Sequence, residues 1–225
     1  MATFRALFYA ALIAGIAAGV VVSVIQAGKL WPLIAAAETI EAAAPPHHDH
    51  AAMESAWTPE GPSRPALTVL FNIAAGIGFG LILNALTRIW SLRSGRPFTA
   101  PDGIGWGMAG FAVFSLAPAL GLPPELPGME AGALIERQIW WIATACCTAG
   151  GIAALVSFVG PWRGIGLALI VLPHVIGAPH VEEHGAIPGE MAAAFTAASL
   201  AASAVFWLVL GWTSGWAQQR FAREG

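Results

Sequence analysis

Three stretches of this chain hold residues able to do chemistry. The first is Pro45-Pro46-His47-His48-Asp49-His50. The second is a run from Leu172 to Glu190, which carries Pro173, His174, Pro179, His180, Glu182, Glu183, His184 and Glu190. The third runs from Ala117 to Gly128 and places Glu125 between Pro124 and Pro127, with Pro118 near its start. Neutral imidazole beside carboxylate suits cobalt, nickel, copper or zinc, whereas calcium and magnesium ask for oxygen ligands alone. His47, His48, Asp49 and His50 thus form a candidate metal-capturing set on a flexible loop. The plain alternative is a polar loop that happens to be rich in histidine. His174 lies in an apolar surround, where an ionisable group is costly and a functional candidate. Its structural alternative is a ring bonded to a neighbouring backbone carbonyl. His180 and His184 share a face if their segment is helical.

Other chemistries fit less well. His180-x-x-Glu183-His184 matches the inverted zinc-protease pattern in letters. However, Pro179 and Gly185 flank it, which makes it a loop, and carboxylates for a third ligand are scarce. Gly76-Ile-Gly-Phe-Gly80 lacks the strand and the lysine of a phosphate loop, and Lys29 is the chain's only lysine. Cys146 and Cys147 are adjacent, form no CxxC site and read as packing residues. Arg137 is placed to pair with Glu125 or Glu136 in a structural or gating role. A net charge of −3 offers no basic surface for nucleic acid.

The elements that must position these residues are membrane helices. Of the 225 residues, 57% are hydrophobic and 10% charged, with mean hydropathy +0.69. Soluble domains carry about 25% charged residues. The expected fold is all-α, a polytopic helix bundle embedded as one domain (1–225) in the lipid bilayer. Six segments are expected, near residues 4–27, 66–90, 103–120, 137–159, 162–178 and 188–216. The third and fifth sit at the lower limit of about 17–25 residues for a span. The first has an apolar core of roughly 20 residues, longer than the 7–15 of a signal peptide, and reads as retained. Residues 28–65 read as a polar, proline-rich loop outside the membrane, and residues 66–216 as helices two to six. Gly15 and Gly19, and again Gly76 and Gly80, have the small-xxx-small spacing of close helix pairs. Pro173 and Pro179 are each expected to stop a helix. Pro118 and its neighbours are expected to break the third segment in the same way.

Six crossings place both termini on one side. That side receives Arg5, Arg88, Arg93, Arg96, Arg163, Arg220 and Arg223, and the other only Lys29, Arg64 and Arg137. The positive-inside rule then makes the termini cytoplasmic. The opposite surface gathers almost all the acids and all the histidines, a field that concentrates dications.

Several motifs also resemble those of a known family. They are Leu116-Ala-Pro-Ala-Leu-Gly-Leu-Pro-Pro-Glu-Leu-Pro-Gly-Met129, Arg137-Gln-x-Trp-Trp141, Leu172-Pro-His-x-Ile-Gly-Ala-Pro179 and Phe206-Trp-Leu-Val-Leu-Gly211. Together they are similar to CbtA, the predicted cobalt transporter subunit. The resemblance implies a multi-pass bacterial inner-membrane protein that takes up cobalt for cobalamin supply and holds no permanent cofactor. It also implies a partner, CbtB, a small single-helix subunit with a histidine-rich end. The matched positions are Pro118, Glu125, Arg137, His174 and Pro179. The ligands accept Ni2+ as well as Co2+, and a homo-oligomer is compatible with the sequence. The expected activity is uptake of a divalent transition metal, not an enzymatic reaction. The rival readings are a membrane metal sensor or scaffold and, further off, a membrane metalloprotease.

Overall fold

The computed structural model describes residues 2–43, 63–179 and 186–224. His47, His48, Asp49, His50, His180 and His184 therefore lie outside the described residues. Every regular element within them is helical, as the composition requires.

Helix α1 spans Ala2–Ala43. At 1.5 Å per residue it is about 63 Å long, roughly twice the hydrocarbon thickness of a bilayer. It passes Ala27, where the hydropathy pattern placed its end, and continues through Pro32. The single donor lost at Pro32 is outweighed by packing on either side. Leu30 and Ala37 are buried in a cluster with Leu126 and Phe195.

Helix α2 spans Ser63–Ser94. Helix α3 (Ala100–Phe111) opens on a capping box. The Thr99 hydroxyl accepts from the Asp102 backbone, and the Thr99 backbone donates to Asp102 Oδ2 at 3.1 Å. This explains why α3 begins ahead of the apolar run. A π-helical turn, Ala112–Leu116, and the short α4, Ala117–Ala119, continue the same rod. Helix α5 is Leu134–Ser157; a 3₁₀ turn at Gly160–Trp162 leads into α6 (Arg163–Ile176), and α7 is Gly189–Glu224.

Helices α1, α2, α5 and α7 are long and apolar enough to cross a membrane, while Gly160–Ile176 is a shorter apolar helix. The two rods that fall short are the third and fifth, where the sequence was at its lower limit.

Glycines set how the rods pair. A Cβ built on Gly15 would lie 2.4 Å from the Ile77 nitrogen, and one on Gly76 would lie 2.4 Å from the Gly15 carbonyl oxygen. The small-residue faces read from the sequence thus meet each other across α1 and α2. The same device joins α3 to α7 at Gly103 and Gly211, and α5 to α6 at Gly151 and Gly166. All three pairs are antiparallel. Helices α1 and α7 also run antiparallel, so their outer ends meet: the Tyr9 and Phe221 rings are 6.4 Å apart. Both chain ends therefore lie at one end of the bundle, as an even number of rods demands.

The core centres on Ala14, Ala18, Leu83, Phe111, Trp207 and Leu210. Within it, buried Asn84 donates to Gly80 O at 2.7 Å and to Ser214 Oγ at 3.1 Å, and accepts from Gln218 Nε2 at 2.7 Å. The α5–α6 hairpin meets the remaining described helices chiefly at the π turn and α4.

One expectation fails in detail. Helix α6 runs through Pro173 rather than stopping there. Pro173 removes one helical donor, but its carbonyl stays in use, accepting from the Gly177 N–H and from the Trp140 indole N–H. The helix ends instead at Gly177, whose φ of +90° suits glycine, with its N–H donating to Pro173 O at 3.0 Å.

Candidate functional site

The break at Pro118 is where the site begins. A proline ring clashes with the carbonyl four residues earlier, here that of Phe114, and supplies no N–H to it. The chain answers by widening: the Ala117 N–H bonds the Ala112 carbonyl, five residues back. Pro118 itself is almost fully buried. The helix ends at the next residue, Ala119, and residues 120–133 cross the end of the bundle without regular structure.

That crossing is pinned on both sides of Glu125. Thr196 Oγ1 on α7 donates to Pro124 O at 3.2 Å. Leu126 is buried in the cluster formed with α1 and α7. Gly128, at φ +78°, turns the chain close against Glu41 of α1. The Glu125 carboxylate is thereby held toward the first turn of α5, where Arg137 Nη2 donates to its Oε2. About three-quarters of each side chain is covered, 25% of Arg137 and 23% of Glu125 remaining exposed. Of the two partners the sequence offered Arg137, the fold selects Glu125. The other edge of the guanidinium is not satisfied: Arg137 Nε is buried and has no hydrogen-bond partner.

Around the pair opens a cleft of about 640 Å3. Its walls are Phe114, Ser115 and Pro118 from the π turn and α4, Pro124 and Glu125 from the crossing, Arg137, Gln138 and Trp141 from α5, and Leu200 and Ser203 from α7. Behind Phe114 the cleft is closed by rings. Phe114 stacks on Trp207 at 5.5 Å and 7°, and Phe79 lies 5.1 Å from each. Thus Pro118, Glu125 and Arg137, singled out in the sequence, belong to one site.

His174 does not join them. It sits in the last turn of α6 with its ring 5.8 Å from that of Trp140, edge to face. The Trp140 indole N–H donates to Pro173 O at 3.3 Å, which fixes this corner. His174 Nε2 is buried with no hydrogen-bond partner, so the structural alternative of a carbonyl bond to that atom is not realised. Pro173 and Pro179 line a separate apolar cavity of about 530 Å3, together with Glu136, Trp140 and Cys147. Among the described residues, no three His, Cys, Asp or Glu side chains gather closely enough to hold a metal ion.

Sequence reading passed over several polar groups inside the bundle. Ser115 and Ser203 line the cleft beside Gln138, which the Arg137-Gln motif already held. Thr144 and Thr148 are buried on α5 with unpartnered hydroxyls, as is the hydroxyl of Ser199 on α7. The four-residue spacing of the two threonines was the only available signal, and a hydroxyl in an apolar run is too common to stand out.

Comparison with known proteins gives one match. Residues 4–219 fit the family model for the probable cobalt transporter subunit, CbtA. No curated protein and no solved structure matches the chain.

Proposed function

This chain belongs to the CbtA family of probable cobalt transporter subunits, and on that premise we propose that it moves a divalent transition metal, Co2+ first and Ni2+ second, inward across the bacterial inner membrane. The observation that carries this reading is a family match that covers nearly the whole chain. Both chain ends meet at the end of the bundle that also holds Arg5, Arg96 and Arg163. The excess of positive charge there supports a cytoplasmic location for both. The cleft with Glu125 then opens on the outer side.

Capture falls to His47, His48, Asp49 and His50, which lie in the sequence between α1 and α2. The ion next meets Glu125, whose pairing to Arg137 gives the site a gate. A metal species arriving there competes with the guanidinium for the carboxylate. His174, with an unsatisfied imidazole nitrogen, is a second contact within the membrane. His180 and His184, which lie in the sequence between α6 and α7, add further ligands to the route. Pro118, Pro173 and Pro179 shape the helix ends around this route.

The chain has no phosphate-loop lysine, so the membrane potential is the natural driving force. It is worth about 4.6 kcal/mol for two charges at 100 mV, twice the per-charge value. The word subunit in the family description implies a partner, for which a small single-helix protein with a histidine-rich end, CbtB, is the expected candidate.

The test is uptake of radiolabelled Co2+ into proteoliposomes, with and without the small subunit. Metal bound at the outer loop with no flux in either case would make the protein a sensor or scaffold instead. A protease reading requires Glu183; transport that survives Glu183→Gln and fails on His174→Ala rejects it.

A further inference from the structure

The cleft at Glu125 and Arg137 is the wrong shape for a naked ion. A site that strips and holds a transition metal converges several nitrogen, sulfur or oxygen ligands on one point. This one offers a single carboxylate, already engaged by a guanidinium. It is also too large. A hydrated divalent ion with six waters occupies about 180 Å3 at roughly 30 Å3 per water, against about 640 Å3 of cleft. That volume lies inside the range of about 300–1,000 Å3 typical of small-molecule sites. The walls agree with such an occupant: aromatic and proline surface from Phe114, Pro118 and Trp141, with a few polar groups at separate points.

The polar groups have a direction. Arg137 lines the cleft with a quarter of its side chain exposed, and a guanidinium matches a carboxylate in both charge and geometry. Glu125 beside it accepts hydrogen bonds and favours positive charge. Ser115, Gln138 and Ser203 add neutral donors and acceptors along the walls. A ligand with a negative group at one end and donors such as metal-bound water at another satisfies both members of the pair together.

We propose that this cleft binds the metal inside a small organic chelate that bears a free carboxylate, with the carboxylate on Arg137 and the metal's coordinated waters on Glu125. This rests on the transport reading and sharpens it, since it makes the complex, not the aqua ion, the species that docks at Glu125 and Arg137, with the dication leaving it for the passage inward.

The experiment uses the full chain together with the small subunit in proteoliposomes and Co2+–citrate as the probe. Citrate and total cobalt are varied together so that free Co2+ stays constant while the complex rises. Uptake that climbs at least tenfold with the complex, and falls at least tenfold in Arg137→Gln, is the expected result. Ser203→Leu fills the cleft without touching the ion pair and is expected to show the same loss, which guards against a folding defect in the arginine variant. In detergent, citrate alone should change the fluorescence of the wild-type protein through Trp141, and this change should be lost in Trp141→Phe. Uptake that follows free Co2+ only, whatever the citrate, overturns the chelate and leaves metal transport standing. No uptake under either condition overturns both. A fluorescence change given by anionic lipid vesicles and not by citrate identifies the cleft as a lipid groove and also overturns the proposal.

Discussion

Replacing Gly76 by alanine puts one methyl group where α2 crosses α1. Its Cβ would stand 2.4 Å from the Gly15 carbonyl oxygen, 3.1 Å from its carbon and 3.2 Å from its Cα. These are backbone atoms, so no side chain can swing aside. Ordinary contact begins near 3.4 Å, and the two helices must therefore part by about 1 Å at this point. A gap of 0.5–1 Å forfeits roughly a quarter to a half of the dispersion energy of the atom pairs it separates. The bonds from Asn72 to Ser23 (3.0 Å) and to Gln26 (2.7 Å) lie just beyond on the same interface and would stretch as well. Overpacking of this kind costs about 1–3 kcal/mol. Gly78, two residues along the same helix, supplies the control, because a Cβ there meets nothing within 4 Å. Both substitutions gain the same helix propensity of about 1 kcal/mol, so the difference between them isolates the crossing. At about 2–4 °C per kcal/mol for a chain of this size, Gly76→Ala should unfold about 2–12 °C below Gly78→Ala. Thermal unfolding of the purified protein, followed by tryptophan fluorescence in detergent, measures it. Equal midpoints for the two variants would falsify the close crossing of α1 on α2.

Three further outcomes follow from the same structure. Glu125→Gln and Arg137→Gln should each reduce metal uptake, and the double variant should lose less than the sum of the two. The expected coupling is about 0.5–3 kcal/mol for residues in contact, and additive losses in a double-mutant cycle would mean the pair does not act as a unit. Asn84→Leu strands Ser214 and leaves Gln218 with Thr87, which accepts from it at 3.0 Å. A loss of about 1–3 kcal/mol of stability is expected from buried groups left without partners, read by thermal unfolding. Metal capture by His47, His48 and His50 requires neutral imidazoles, since a protonated ring has no lone pair for the ion. Cobalt uptake should therefore be full above about pH 7.5 and fall as pH drops through about 6.5, and a flat profile down to pH 5.5 would remove the imidazoles from the capture step.

Much of the architecture could be read from the chain because lipid imposes few solutions. Apolar runs of span length can only be helices, and their number fixes whether the ends share a side. Where the pattern went astray, packing was the reason. Helix α1 outruns its apolar core because Leu30 and Ala37 find Leu126 and Phe195, partners far away in sequence. Helix α6 passes Pro173, whose carbonyl is held by Trp140 of α5, and the stop falls to Gly177.

The sequence by itself determined a helical membrane protein of the CbtA family, the glycine faces of α1 and α2, and the residue types at Pro118, Glu125 and Arg137. Each of these rests on composition, local spacing or a contiguous motif. Only the tertiary structure decided that Arg137 takes Glu125 rather than Glu136, that His174 stands apart from them, and that the pair opens onto a cleft sized for a small molecule. Those facts depend on how α4, α5 and α7 meet, and a contact between residues distant along the chain leaves no mark in its local pattern.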